Sequence, residues 1–587
     1  MGAGMTQCDS ATVAERIALA LRRHDVEIIF AQSLPSAVIL AAEASGISQV
    51  AYRQENMGGA MADGYARVSG KIAVVAAQNG PAATLLVPPL AEAYKASTPV
   101  VALVQDVERP QLDRNAFQEL DHCALFSSCT KWARRILTAD RADDYVDGAF
   151  IAAGTGRPGP AVLLLPADLL RERAAPSHRP RSMGCGTWPI DRTRPASAAI
   201  ERAADMIAAA RSPVIMAGGG AVSVDAVLAL SRLQELAHLP VFTTNMGKGS
   251  VDEFHPLSCG VLGALTGPRS LGRHMRPLLD KADVVLLVGT RTNQNGTDSW
   301  RLIPPTAELI HIDIDPEEIG RNYEALRLVG DAATTLDALW EALRARDLGY
   351  LRSRRSDLER RIAAGWQAFD IDRASLRESN GQPIRPERVM KAVQDVLTPE
   401  TTVVADASYS SMWIVGQLRA LRGGMRFITP RGLAGLGWGL PLAIGAKLAR
   451  PQHPVIAVVG DGGFAHSWAE IETMVRSKLA VVVIVINNGV LGYQKDAETV
   501  KFGRSTTACQ LGVVSHAEIA RACGCDAIRI DAPGDIAPAL KAAIASRRPW
   551  LIDVISSPEA HPPLSLYDGT LDKPDVMEVT IESIGSD

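Results

Sequence analysis

The residues best placed to do chemistry stand at the ends of two apolar runs. Val455 to Val459 leads directly into Gly460-Asp461-Gly462-Gly463, and Val481 to Ile486 into Asn487-Asn488-Gly489-Val490. Glycines at a strand end let the backbone turn tightly and expose N–H groups that can cradle phosphate where the next helix starts. Asp461 adds a hard carboxylate oxygen at the carboxyl end of a strand, where doubly wound sheets hold ligands. The stretch between the motifs is long enough for a helix and a returning strand, so the two ends can lie side by side. An Asp carboxylate, an Asn amide oxygen and a backbone carbonyl, completed by diphosphate oxygens and water, make an octahedral shell for Mg2+. A glycine-rich strand end alone is more often turn chemistry. The second motif, after its own buried strand, gives the first its meaning.

The elements that must position these residues follow one pattern. Short apolar runs alternate with helical stretches in three segments, 8–175, 196–345 and 385–556, followed by a tail over 557–587. Such alternation predicts an α/β protein of three doubly wound parallel-sheet domains. Strands are expected at 72–76, 100–104 and 161–166, at 214–217, 284–288 and 309–313, and at 455–459 and 481–486. A polar, proline-containing stretch at 175–181 reads as a linker. The cluster Arg352, Arg354, Arg355, Arg360 and Arg361 is interrupted by Asp357 and Glu359 and reads as a solvated helix or linker. The first and third segments match in size and pattern, as two related sheets facing each other would.

Bulk properties narrow the classes. A chain of 587 residues exceeds what a single core fills, so two or three domains are expected. With 47% hydrophobic and 21% charged residues and a net charge of −4, the chain shows no basic face for nucleic acid. No apolar run reaches membrane-spanning length. The first six residues fit a permissive myristoylation pattern, which one acyl chain makes a weak anchor at best. Eight scattered cysteines without C-x-x-C spacing suggest neither a disulfide framework nor zinc, and a reducing, cytoplasmic setting.

The paired motifs resemble those of the thiamine diphosphate-dependent enzymes that include acetolactate synthase, pyruvate decarboxylase, benzaldehyde lyase and oxalyl-CoA decarboxylase. The resemblance implies that Asp461, the Asn488 side chain and the Val490 carbonyl bind Mg2+, with Gly460, Gly462 and Gly463 around the diphosphate. Tyr409 and Ser410 match the family's other diphosphate segment. Residues 52–67 resemble the family's activating glutamate and its helix, so Glu55 would hydrogen-bond the aminopyrimidine ring and favour the imino tautomer that activates the thiazolium carbon. Residues 431–441 resemble the segment whose apolar wedge bends the cofactor, and Leu436 takes that place.

Residues 116–119 resemble the substrate side of acetolactate synthases, which makes Phe117 and Gln118 pocket residues and Gln118 a catalytic candidate. Gln32, Ser33, Asn79, Tyr493 and Gln494 complete the expected pocket. The family arrangement implies a homodimer or homotetramer with sites between subunits and a small-molecule substrate. Three features depart from it. Gln54 stands where acetolactate synthases usually carry histidine, Gln78-Asn79-Gly80-Pro81 replaces the more usual Ser-Gly-Pro-Gly, and residues 491–497 lack the expected tryptophan. In the middle segment, Gly218-Gly219-Gly220 leaves room for an adenine nucleotide (ADP, CoA or FAD), although no flavin segment is recognisable. The leading expectation is acetolactate-synthase-like lyase or carboligase chemistry on 2-oxo acids. A 2-hydroxyacyl-CoA lyase or an oxalyl-CoA decarboxylase-like enzyme is the alternative, and a non-catalytic cofactor-binding subunit a more distant one.

Overall fold

The computed structural model describes residues 11–174 and 181–571. Residues 175–180 of the expected linker, residues 572–587 of the expected tail and the first ten residues, with Cys8 and the acylation pattern, lie outside the described residues.

Three six-stranded parallel sheets follow one another along the chain. The first contains β1 (Ile28–Phe30), β2 (Ser48–Val50), β3 (Ala73–Ala77), β4 (Val100–Asp106), β5 (Trp132–Arg135) and β6 (Ala161–Pro166), in the order β2-β1-β3-β4-β6-β5. The second contains β7 (Pro213–Ala217), β8 (Val241–Thr243), β9 (Ser258–Val261), β10 (Val284–Val288), β11 (Glu308–Asp313) and β12 (Leu326–Val329), in the order β9-β8-β7-β10-β11-β12. The third contains β13 (Thr402–Ala405), β14 (Phe427–Ile428), β15 (Val455–Gly460), β16 (Val481–Asn487), β17 (Asp526–Ile530) and β18 (Trp550–Ile555), in the order β14-β13-β15-β16-β18-β17. The outer two sheets therefore share one strand order, and the middle sheet has the 3-2-1-4-5-6 order of nucleotide-binding sheets.

The strands are continuous apolar runs because both of their faces are covered. Along β15, Val455, Ala457 and Val459 pack toward Leu440 and Ile444, while Ile456 and Val458 pack toward Trp413 and Leu540 on the other face. The first of these cores extends without a break to Tyr65, Val75 and Val104 of the first domain. It is carried across by two helices, Glu55–Ser69 and Gly439–Ala449. Their axes come close because glycines face each other's backbone: a Cβ on Gly64 would lie 2.2 Å from the Leu442 carbonyl oxygen, and one on Gly445 only 1.9 Å from that of Met61.

The arginine-rich stretch is part of a 29-residue helix, Gly349–Arg377, that buries Leu358, Ile362, Trp366 and Phe369 and pairs its charges along its own surface. The start of the tail differs from a loose extension. Residues 557–571 pack onto the second and third domains, with Tyr567 at 0% exposure.

Candidate functional site

In the third sheet the chain leaves β13 in one direction and β15 in the other, which opens a crevice at their carboxyl ends. Three groups of expected residues meet there. After β13, Ser408 adopts φ 63° and starts the helix Tyr409–Gln417, so the first turn of that helix presents its N–H groups to the crevice. β15 ends on Gly460, and the short helix Asp461–Phe464 follows directly. After β16, which pairs with β15 up to Gly460 and Ile486, come Asn488 and Val490.

Asp461 is 6% exposed, and burial pushes its carboxyl above the ordinary range. The Gly489 N–H donates to Asp461 Oδ2 at 2.8 Å and pulls the other way. A bound cation would complete this balance, since it favours the charged carboxylate. Asn488 Oδ1 accepts the Val490 N–H at 3.2 Å, which curls the chain and keeps the amide beside its own turn. Asn487 plays a different part: its Nδ2 donates to the Val514 carbonyl and to Asp553 Oδ1, at 3.0 and 2.9 Å, and locks the strand end from behind. The donor set at this edge, Asp461, the Asn488 amide and the Val490 backbone, is hard oxygen chemistry of the kind Mg2+ requires and fits a metal-bound diphosphate.

The crevice is braced by acids that the sequence reading did not single out. Asp406 is buried after β13 and accepts the N–H groups of Ala407, Gly437 and Trp438 at 2.9, 2.9 and 3.1 Å. A Cβ on Gly463 would lie 2.1 Å from Asp406 Oδ2, so only glycine fits there. Glu92 of the first domain accepts the N–H groups of Gly432 and Ala434 at 2.6 and 3.1 Å and that of Leu433. Arg67 joins Glu92 to Asp63, and although burial opposes its charge, these two carboxylates hold the guanidinium above its usual range. The loop they fix carries Leu433 and Leu436, both exposed.

Glu55 opens its helix and is half-buried, and no hydrogen bond or ion pair joins it to another described side chain. Its turn is held from two sides. Gln32 Nε2 donates to the carbonyls of Tyr52 and Arg53, both at 2.8 Å. Glu470 accepts the N–H groups of Arg53 and Gln54, at 3.0 and 3.2 Å, and the Thr473 hydroxyl at 2.7 Å. Burial raises the Glu470 carboxyl.

The remaining pocket residues cluster on the first sheet. Asn79 Nδ2 donates to the Gln118 carbonyl at 3.1 Å, Gln118 sits at φ 61° against Gly80, and Phe117 is 85% exposed. His122 Nε2 accepts the Gly80 N–H at 3.0 Å while its Nδ1 faces Asp106, which Arg135 also binds. Ser33, at φ 60°, leaves the end of β1 beside Gln32. Tyr493 stands edge-on to Tyr409, and Gln494 hydrogen-bonds Glu498 one turn along the helix Gly492–Phe502. The expected residues thus form two sets, one at the carboxyl edge of each outer sheet. Among the described residues no hydrogen bond or ion pair links Glu55 to Asp461 or Asn488.

Missing these braces has a common cause. Asp406, Glu92 and Glu470 act on backbone N–H groups far away in sequence, and such partnerships leave no local spacing to read.

Comparison with known proteins agrees with this arrangement. Residues 11–125, 200–339 and 406–554 match the family models for the N-terminal, central and C-terminal domains of thiamine pyrophosphate enzymes. The chain is 32% identical over 584 residues to a probable acetolactate synthase large subunit of Methanocaldococcus jannaschii, covering 95% of this chain and 94% of the relative. It is 30% identical to an acetolactate synthase of Mycobacterium leprae (94% and 88% covered) and 32% identical to an acetolactate synthase large subunit of Parasynechococcus marenigrum (91% and 86% covered). Two sheets of one strand order around a nucleotide-type sheet, an acid-and-amide crevice at a strand edge, and similarity along nearly the whole length together place this chain in the thiamine pyrophosphate (thiamine diphosphate) enzyme family, as an acetolactate synthase-like enzyme.

Proposed function

We propose that the chain is a thiamine diphosphate- and Mg2+-dependent carboligase acting on 2-oxo acids, with acetolactate synthase chemistry as the leading reaction. The observation that carries this is the meeting of Asp461, Asn488, Val490 and the Tyr409 helix start at one strand-edge crevice. In this reading Asp461, Asn488 and the Val490 carbonyl hold Mg2+, while Gly460, Gly462, Gly463 and Ser410 receive the diphosphate. Thiamine diphosphate, when bound, supplies a carbon nucleophile that adds to carbonyl groups. Glu55 holds a proton at its carboxylate against the aminopyrimidine side, and Gln32 and Glu470 keep its turn from drifting. Leu436 would stand against the cofactor as an apolar wedge. Phe117, Gln118, Asn79, Ser33, Tyr493 and Gln494 surround the substrate, with Gln118 as the group nearest the chemistry.

Glu55 and Asp461 stand at the edges of different sheets, with no hydrogen bond or ion pair between them among the described residues, which suits a homodimer or homotetramer in which the two sets come from different subunits. The seven cysteines among the described residues are free thiols, which suits a reducing cytoplasm. No described helix is long and apolar enough to cross a membrane.

A second cofactor is supported by the central domain. A cavity of 460 Å3 lies at the switch point of the middle sheet, lined by Gly219, Gly220, Thr290, Asp313, Arg291 and Arg157 among others. Burial raises the Asp313 carboxyl to about 7. An adenine nucleotide would fit this arginine-bearing crevice.

The reaction is tested by offering purified holoenzyme pyruvate, other 2-oxo acids and 2-hydroxyacyl-CoA thioesters. Acetolactate and CO2 from pyruvate are expected. Thioester cleavage without turnover of any 2-oxo acid would replace the carboligase reading with the lyase.

A further inference from the structure

The Tyr409 side chain is engaged at its far end. Its hydroxyl donates to Asp496 Oδ2 at 2.7 Å and is hydrogen-bonded to the Tyr567 hydroxyl at the same distance. Asp496 lies on the helix Gly492–Phe502, which begins two residues after Val490. Tyr567 comes from the C-terminal segment. It is fully buried, although its neighbours Leu566 and Asp568 are exposed. The Tyr409 ring fills the space between two cofactor-facing turns: it begins the 409–417 helix, and a Cβ on Gly492 would lie 3.1 Å from it.

The segment that delivers Tyr567 is itself tied down at several points. Pro563 O accepts the Gly267 N–H at 3.1 Å, and Ser565 N–H donates to the Ala264 carbonyl at 2.9 Å. Lys495, next to Asp496, donates to the Pro558 carbonyl at 2.8 Å. The rings of His561 and Tyr409 both stand edge-on to Tyr567. One hydroxyl cluster thus joins the C-terminal segment, the helix after the metal edge and the first turn of the diphosphate helix.

We infer that Tyr567 is a positioning residue for the diphosphate end of the site, acting through Tyr409 and Asp496 to hold the Ser408–Ser410 and Val490–Gly492 turns at the separation that retains the metal-bound cofactor. This rests on the cofactor reading above. The Tyr409 hydroxyl, being committed to Asp496 and Tyr567, leaves cofactor contact at this position to the backbone. Tyr567 acts on cofactor retention, and the chemical step at saturating cofactor does not depend on it.

The test compares thiamine diphosphate binding and turnover, with Mg2+ present, in the full-length wild type, Tyr567→Phe, Asp496→Asn, the double variant and Leu564→Ala. Leu564 packs in the same core and takes no part in the hydrogen bonds of the Tyr409 hydroxyl. Tyr567→Phe should weaken cofactor binding about fivefold, as expected for one hydrogen bond of about 1 kcal/mol, with kcat at saturating cofactor unchanged. The double variant should bind no more weakly than the weaker single one, because both remove the same restraint. Leu564→Ala should lower the melting temperature of the apoenzyme and leave cofactor affinity in place. Wild-type affinity in Tyr567→Phe would overturn the inference, as would equal loss of affinity in Leu564→Ala or a drop in apoenzyme melting temperature matching it. Failure of the wild type to bind thiamine diphosphate would instead remove the cofactor reading beneath it.

Discussion

Asp461 and Glu55 answer to different partners, and variants separate them. Asp461 is buried beside the Gly489 N–H, so its charge needs a cation to offset the cost of desolvation. Asp461→Ala should abolish Mg2+-dependent binding of thiamine diphosphate and leave the apoenzyme folded. Equilibrium dialysis with and without a chelator measures this, and tight binding in the variant would remove Asp461 from the site. Glu55→Gln keeps the shape of the side chain and loses its proton chemistry. It should lower turnover by roughly 10²–10⁴-fold while retaining much of the cofactor binding. Asp313 gives a pH signature in the central cavity. Its folded pKa of about 7 lies above the ordinary carboxylate value, so the folded chain holds the proton longer than the unfolded one and loses stability as pH rises from about 4 to 7. Asp313→Asn should flatten that decline, seen as a smaller fall in melting temperature between pH 5 and pH 8. Identical slopes would mean that Asp313 is ionised throughout.

The elements show what local sequence carries and what it does not. The strands at 284–288 and 455–460 were legible because parallel strands covered on both faces must be apolar at every position. The strand-edge position of Asp461 and Asn488 was legible for the same reason, since each motif directly follows such a strand. Only the family resemblance, and not local spacing, singled out Asn488 from Asn487: Asn487 turns back to Asp553 and Val514, and the difference comes from strand pleat and the neighbouring strand. The burial of Tyr567 was also hidden, because a single aromatic in a polar tail takes its place from a pocket built by residues 409 and 496. Helix packing makes its own prediction. Gly445→Ala would put a methyl 1.9 Å from the Met61 carbonyl oxygen and push the two bridging helices apart. A loss of about 1–3 kcal/mol is expected, visible as a lower urea midpoint, and an unchanged midpoint would show that the helices have slack.

At the scale of the whole molecule, one chain carries the two sets of candidate residues on separate sheets. Glu470 and Glu92 hydrogen-bond across the two outer domains of one chain, yet among the described residues no hydrogen bond or ion pair joins Glu55 to Asp461 or Asn488. In the proposed homodimer or homotetramer, a second copy would bring its Glu55 to Asp461 and Asn488. The most direct measurement mixes two inactive chains, Glu55→Gln and Asp461→Ala, under conditions where subunits exchange. In a mixed dimer one site collects both defects and the other neither. Random pairing makes half the dimers mixed, so activity should return to about a quarter of the wild-type level. A mixture as inactive as its two components would place Glu55 and Asp461 in the same chain's site and contradict the account.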